Sequence, residues 1–306
     1  EVDFYMHMDN YIKRLRQSDR ESYANTFEQT KDRLKEFSLK DNLGFNEVNY
    51  RFLEDFRSFF LAKKMSENSI ALHTRNIRTI FNDAINSDIV GLEYYPFRKY
   101  KIRKKQSNHR NLSLKELNKI MKYEPVNKTE ERIKDLIFLS FYLIGVNFKD
   151  LMLAKKDQVY KGRFHYDRFK TKKPYSIKVL PEAHEIIEKY EGEGEYLLRF
   201  MEDKIKNNKK IDRKTPLYKD ITDQTNKVMK RILENCKLGK RGSTYFMRHS
   251  WASIADELEI PRTVIKLAMG HGNDSVTDVY INTDLKRVDE ANKKVIEYLH
   301  KSLKNG

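Results

Sequence analysis

One cysteine, Cys236, stands in 306 residues. A lone thiol excludes a disulfide framework and a thiolate-built metal site, and it fits a reducing compartment. Long apolar runs are missing too. The longest, residues 136–146, is interrupted by Ser140 and falls well short of the roughly 20 residues that span a bilayer. The chain opens EVDFYMHMDNYIKRL, with neither a starting Met nor an apolar signal core, so it reads as an excised fragment, and whether an N-terminal segment precedes it is left open. No membrane partner and a cytoplasmic location are the expectation. Acidic residues are in deficit: 45 Asp+Glu against 61 Lys+Arg leave a formal charge of +16, which favours a polyanion such as nucleic acid. An anionic membrane surface, or a source with Lys-rich proteins, would give the same sign. What is plentiful is apolar material. Seventeen Phe and 18 Tyr are enough to build real cores and exclude wholesale disorder, and the length makes two domains the natural division.

Along the first hundred residues, apolar positions recur at three- and four-residue spacing over 5–16, 20–37, 49–63 and 68–87, which predicts four helices. In the last, Ile70, Ile77, Ile80, Phe81, Ala84 and Ile85 form one stripe, with Ser66 as an N-cap ahead of it. His73, Arg75, Arg78 and Thr79 fall off the stripe. They are either a solvated polar face or a surface laid against DNA. Tyr94-Tyr95-Pro96-Phe97 breaks the helical run, and RKYKIRKKQSNHR follows over 98–110. Its Lys/Arg density, including Arg103, Lys104 and Lys105, reads as a linker along a duplex backbone. A capping box, Ser113 with Glu116, opens the next helix. Beyond it come a buried-looking helix over 134–144, two alternating strands over 162–180 joined by a Lys-rich turn, and helices from 220 to the end. The expected domains are 1–97, helical; 98–111, a basic linker; and 112–306, a mixed domain. The fold class is mainly α with a small β-sheet.

The informative stretch is TYFMRHSWASIADELEIPRTVIKLAMGHGNDSVTDVY, residues 244–280. It holds Arg248-His249-Ser250-Trp251-Ala252, then Met269-Gly270-His271, then Tyr280 nine positions after that histidine. These ordered pieces resemble the tyrosine recombinase, or phage integrase, family. That family carries H-x-x-R-H, a later L-G-H, and a tyrosine at the same offset. Arg168-Phe169-Lys170-Thr171 looks like its hairpin lysine, and the N-terminal helices resemble its SAM-like core-binding domain. The likeness spans nearly the whole chain.

The resemblance implies a mixed α/β catalytic domain and phosphodiester chemistry without a metal or cofactor. Arg248 would neutralise non-bridging oxygens with its planar, permanently charged fork. Tyr280 would attack in line, giving a 3′-phosphotyrosine and a free 5′-hydroxyl. Lys170 would protonate the leaving oxygen, although Lys172 and Lys173 share its turn. His271 would hydrogen-bond the phosphate; a helix-ending histidine is the plainer alternative. His249 and Trp251 read as structural.

Two positions depart from the family pattern. Its T-G-L-R-x-x-E-L segment corresponds to Ile144-Gly145-Val146-Asn147-Phe148-Lys149-Asp150-Leu151, so Asn147 replaces the first arginine. Tyr245 replaces the H-x-x-R histidine. Both forms resemble a subgroup of mobile-element integrases and invertases, and Lys149, Lys155 or Lys156 is left to restore the missing charge. The tail over 285–303 carries Val288, Ala291, Val295, Tyr298 and Leu299 on one side. That stripe either packs within the chain or, as the resemblance implies, is an exchange helix that docks on a neighbouring subunit. The implied assembly is a homotetramer on double-stranded DNA with specific recombination sites, with accessory DNA-bending proteins as further partners and the nucleoid as location. Competing readings are an inactive DNA-binding protein of the same fold, a type IB topoisomerase, and a basic RNA-binding protein.

Overall fold

The computed structural model describes residues 2–105, 111–207, 217–239, 242–270 and 281–304, with side chains from 285 onward in the last stretch. The chain divides into two compact units, Glu1–Asn108 and His109–Gly306.

The first unit is built on α1 (Phe4–Gln17), α2 (Glu21–Ser38), α3 (Tyr50–Ala62) and α4 (Glu67–Asn86). Three of the four begin at a side-chain cap. Asp3, Asn49 and Ser66 accept the main-chain N–H of Met6, Phe52 and Ser69. Each cap satisfies an otherwise orphaned donor and contributes about 1 kcal/mol. Phe4, Phe27, Phe56 and Phe81 lie at the centre of the core. Phe81 is edge-on to Phe45 at 5.1 Å between centroids, a geometry that satisfies the ring quadrupoles.

The α4 stripe is buried as its spacing predicts, with Ile85 half-buried at the margin. A second arc of the helix is buried as well, and this corrects the expectation for His73. It is 6% exposed, and its Nδ1 lies 2.9 Å from Thr30 Oγ1 on α2. Asn76 Nδ2 donates to the same hydroxyl at 3.0 Å and to Thr26 O at 3.0 Å. Burial pushes the His73 pKa down to about 4, so the ring is neutral near pH 7. A polar seam between helices satisfies these groups, and His73 offers nothing to solvent.

After α4, two 3-10 turns, Leu92–Tyr94 and Pro96–Arg98, lead into the basic stretch. That stretch does not leave the first unit at once. Tyr100 is buried in the core, with its ring 5.9 Å from Tyr50 and 6.0 Å from Phe97, and Ile102 packs beside it. Aromatic anchors hidden among lysines tie the chain down beyond position 98.

The second unit comprises α5 (Leu114–Lys122), α6 (Lys128–Tyr142), α7 (Phe148–Met152), β1 (Val159–Tyr160), β2 (Arg163–Asp167), β3 (Pro174–Lys178), α8 (Pro181–Lys189), α9 (Phe200–Asn207), α10 (Leu217–Asn235), α11 (Phe246–Glu257), α12 (Arg262–Ala268) and α13 (Ile281–Lys304). The Ser113–Glu116 capping box opens α5. From Leu136 onward α6 is buried on every side, so it runs through the core. The antiparallel sheet has order β1-β2-β3, with Phe164 opposite Ile177 and Tyr166 opposite Tyr175. Strand β1, two residues long, has too little pattern to be seen in sequence.

Helix α13 closes the unit. Val288, Ala291, Val295, Ile296 and Leu299 are all buried in its own core. Of the stripe, Val288, Ala291, Val295 and Leu299 are thus covered within the chain, and Tyr298 is partly buried at its margin. Polar ties fix the helix as well, two networks among them. Trp251 Nε1 donates to Asn292 Oδ1 at 2.8 Å, and Asn292 Nδ2 donates to Tyr142 O at 2.9 Å. Arg163 forks onto Asp289 at 2.6 and 3.1 Å while its Nε donates to Ser176 Oγ at 2.7 Å. Among the described residues no helix is long and apolar enough to cross a membrane.

Candidate functional site

The site begins where α6 ends. Ile144 and Gly145 take positive φ of 58° and 64°, reversing the chain. Gly145 N donates to Ser140 O at 2.7 Å, and Ser140 Oγ donates to Val146 O at 2.9 Å, which locks the turn. A Cβ on Gly145 would lie 2.2 Å from Arg248 Cα, so the turn and α11 meet backbone to backbone. Arg248, 5% exposed, donates from Nη1 to Gly145 O at 3.2 Å and from Nη2 to Met269 O at 2.6 Å. The Met269 carbonyl also accepts from Tyr175 Oη at 3.1 Å, which brings β3, α11 and the end of α12 to one point.

This packing makes Gly145→Ala costly. The substitution combines left-handed strain of about 1 kcal/mol with an overlap that only backbone movement relieves, worth a further 1–3 kcal/mol or so. A drop of about 2–4 kcal/mol in urea unfolding followed by far-ultraviolet circular dichroism is the expected result. A loss below about 0.5 kcal/mol would show that the close approach is not what holds the turn.

Arg248 forms one wall of a cavity of about 180 Å³. Its other walls are residues 145–149, Tyr218, Lys219 and Thr222 of α10, and Thr244 with Tyr245. Among the described residues the hydrogen-bond partners of the guanidinium are main-chain carbonyls, which hold it without cancelling its charge. Among the described residues, Asp150 is a carboxyl near Arg248. It is buried, accepts Phe169 N–H at 3.0 Å, and burial pushes its pKa up despite Arg168, Lys149 and Arg248 around it.

Asn147 and Tyr245, where the family pattern has arginine and histidine, both line the cavity. Asn147 caps α7: its Oδ1 accepts Lys149 N–H at 3.0 Å. Tyr245 opens α11, is 39% exposed, and sets its ring edge-on to His249 at 4.8 Å. Lys149 also lines the cavity, and burial pushes its pKa down. Lys170 sits exposed in the β2–β3 turn, next to Phe169. His271 and Tyr280 lie outside the described residues, between α12 and α13. Sequence reasoning missed the α10 contribution of Tyr218, Lys219 and Thr222. No spacing marks them, because a helix brought in from elsewhere in the chain supplies them.

In the first unit, Arg75 and Arg78 are exposed on α4. Lys104 and Lys105 are exposed too, and Lys105 N donates to Asn68 Oδ1 at 3.0 Å, laying the basic stretch beside the start of α4. Arg103 reaches Glu54 at 2.8 Å, so part of its charge is already engaged. His73, buried against α2, is not on this surface. Among the described residues no group of three or more His, Cys, Asp or Glu could hold a metal ion.

Residues 3–102 match the phage integrase SAM-like domain family. The chain is similar in structure to lambda integrase (75–356), solved as a dimer bound to a COC′ core site, with TM-score 0.65 at 13% identity over 94% of this chain and 96% of that one. A lambda integrase tetramer bound to a Holliday junction gives TM-score 0.62 at 14% identity, covering 90% of this chain and 76% of that one. The Tn1549 transposon integrase (aa 82–397), in complex with circular intermediate DNA, gives TM-score 0.59 at 13% identity over 94% and 95%. A comparison with curated proteins found no match.

Proposed function

We propose that the chain is a tyrosine recombinase (phage integrase), a site-specific enzyme that cuts and rejoins duplex DNA; the SAM-like domain match over residues 3–102 and the fold shared with lambda integrase support this reading. The observation that carries this reading is Arg248. A buried guanidinium held by two carbonyls at a cavity wall is a standing positive charge, and an anion entering the cavity is its natural complement. A phosphodiester is such an anion.

Tyr280 Oη attacks the phosphorus, the bond to the 5′ oxygen breaks, and a 3′-phosphotyrosine forms with its energy kept for rejoining. Lys170, exposed on the hairpin turn, gives a proton to the departing 5′ oxygen; His271 hydrogen-bonds a non-bridging oxygen. Tyr245 donates from its phenol at the cavity rim. Arg75, Arg78, Lys104 and Lys105 meet the duplex backbone, Arg103 more weakly because Glu54 competes for it. Assembly on DNA as a tetramer, as in the lambda integrase complex on a Holliday junction, belongs to the same reading.

A second reading, a DNA-binding protein that no longer cuts, draws on Asn147, which caps a helix where an arginine is expected. One experiment separates them. The protein selects a duplex from a randomised pool, and that duplex is rebuilt with a nick beside the cleavage position so that rejoining fails. Accumulation of a protease-sensitive covalent protein–DNA species supports the recombinase. Tight binding with no covalent species on that duplex leaves the non-cutting reading. Relaxation of arbitrary supercoiled DNA by a monomer would point instead to topoisomerase activity.

A further inference from the structure

We infer that Lys149 is the second cation on the scissile phosphate, standing in for the arginine that the family pattern places where this chain has Asn147; the inference rests on the recombinase reading above. Three lysines follow the gap in sequence, and the structure separates them. Lys155 is paired with Glu195 at 2.7 Å. Lys156 is paired with Glu191 at 3.3 Å and also donates to the Gly192 carbonyl. Lys149 instead shares the cavity with Arg248.

The local chemistry leaves its charge available. Asn147 Oδ1 holds the Lys149 N–H, so the residue at the arginine position fixes the first turn of α7 and aims its neighbour. The ammonium lies 2.8 Å from the centroid of the Phe169 ring and 4.6 Å from that of Tyr218. Rings attract a cation but carry no net charge to cancel it. Lys172 approaches the same Phe169 ring at 4.8 Å, so a second positive charge crowds this corner. Asp150 is the carboxyl that acts on this ammonium, and burial keeps its own pKa raised; an arriving phosphate relieves the repulsion from Lys172 and adds a second counterion. Burial already holds the Lys149 pKa below the ordinary lysine value, and an anion in the cavity reverses that displacement.

The test compares single-turnover adduct formation on the nicked selected duplex with its methylphosphonate counterpart, in which one non-bridging oxygen of the scissile phosphate is a methyl group. Lys149→Ala is expected to slow adduct formation on the phosphate by about 100-fold while duplex affinity stays within about threefold. Lys149→Arg restores most of the rate. On the uncharged methylphosphonate there is no charge to neutralise, so wild type and Lys149→Ala converge to within about tenfold. Phe169→Ala, which removes the ring but not the cation, keeps the preference for a charged phosphate. The inference is overturned if Lys149→Ala cuts the phosphate at the wild-type rate. It is equally overturned if the variant is as slow, relative to wild type, on both substrates, the behaviour of a residue that only supports the hairpin. Absence of any adduct from the wild-type protein overturns the recombinase reading itself, so the two failures are distinct.

Discussion

Tyr280→Phe is expected to abolish the covalent protein–DNA adduct while leaving duplex affinity within about threefold. The change removes one oxygen from a chain with 18 tyrosines, so the result identifies a position rather than a residue type. Phenylalanine keeps the ring and cannot form the ester. No neighbouring hydroxyl substitutes unless it reaches the phosphorus in line with the departing 5′ oxygen, a requirement that an accidental neighbour rarely meets. Tyr245 is the informative control because it lines the cavity that holds Arg248. Tyr245→Phe should retain the adduct with a slower rate, since only a hydrogen bond is lost. If the pattern is reversed, with Tyr280→Phe active and Tyr245→Phe dead, the assignment of the nucleophile is wrong.

Arg248→Gln has the next largest expected effect, a fall of about 10²–10³-fold in the rate of adduct formation. Two losses are combined in it. The phosphate loses its buried cation, and Gly145 O and Met269 O lose their charged donor. The second loss appears as a stability decrease of about 1–3 kcal/mol, which urea unfolding measures independently of DNA. Arg248→Lys keeps the charge, but a single ammonium cannot span both carbonyls, so it should recover part of the rate and little of the stability. Arg248→Gln cutting at the wild-type rate would remove the site's central claim.

Much of the fold is legible in the residues because its local signals agree. Caps at Ser66 and Ser113, the Ile70–Ala84 stripe and the alternation around Phe164 and Ile177 each specify an element without help from elsewhere. What stays hidden depends on a partner. His73 falls on a polar arc, and only the presence of Thr30 on another helix makes that arc an interior seam. Tyr100 sits in a run of lysines, where charge density conceals the aromatic that anchors the chain. For the tail, periodicity states that one face of α13 is buried but not against what; Trp251 and Tyr142 supply the answer through Asn292. At the site, motif spacing finds Arg248, but neither its carbonyl cradle nor the wall from α10 has any local signature.

Trp251 is the single tryptophan of the chain, 0% exposed, and it lies in the second unit with its indole N–H on Asn292. Indole emission excited selectively is therefore an optical channel for that unit, the helices of the first carrying no tryptophan. Its wavelength shifts to the red only when the α11–α13 contact opens to water. Far-ultraviolet circular dichroism sums both units. The two signals recorded along one denaturant titration resolve whether the units melt together or apart, without cutting the chain or adding a label.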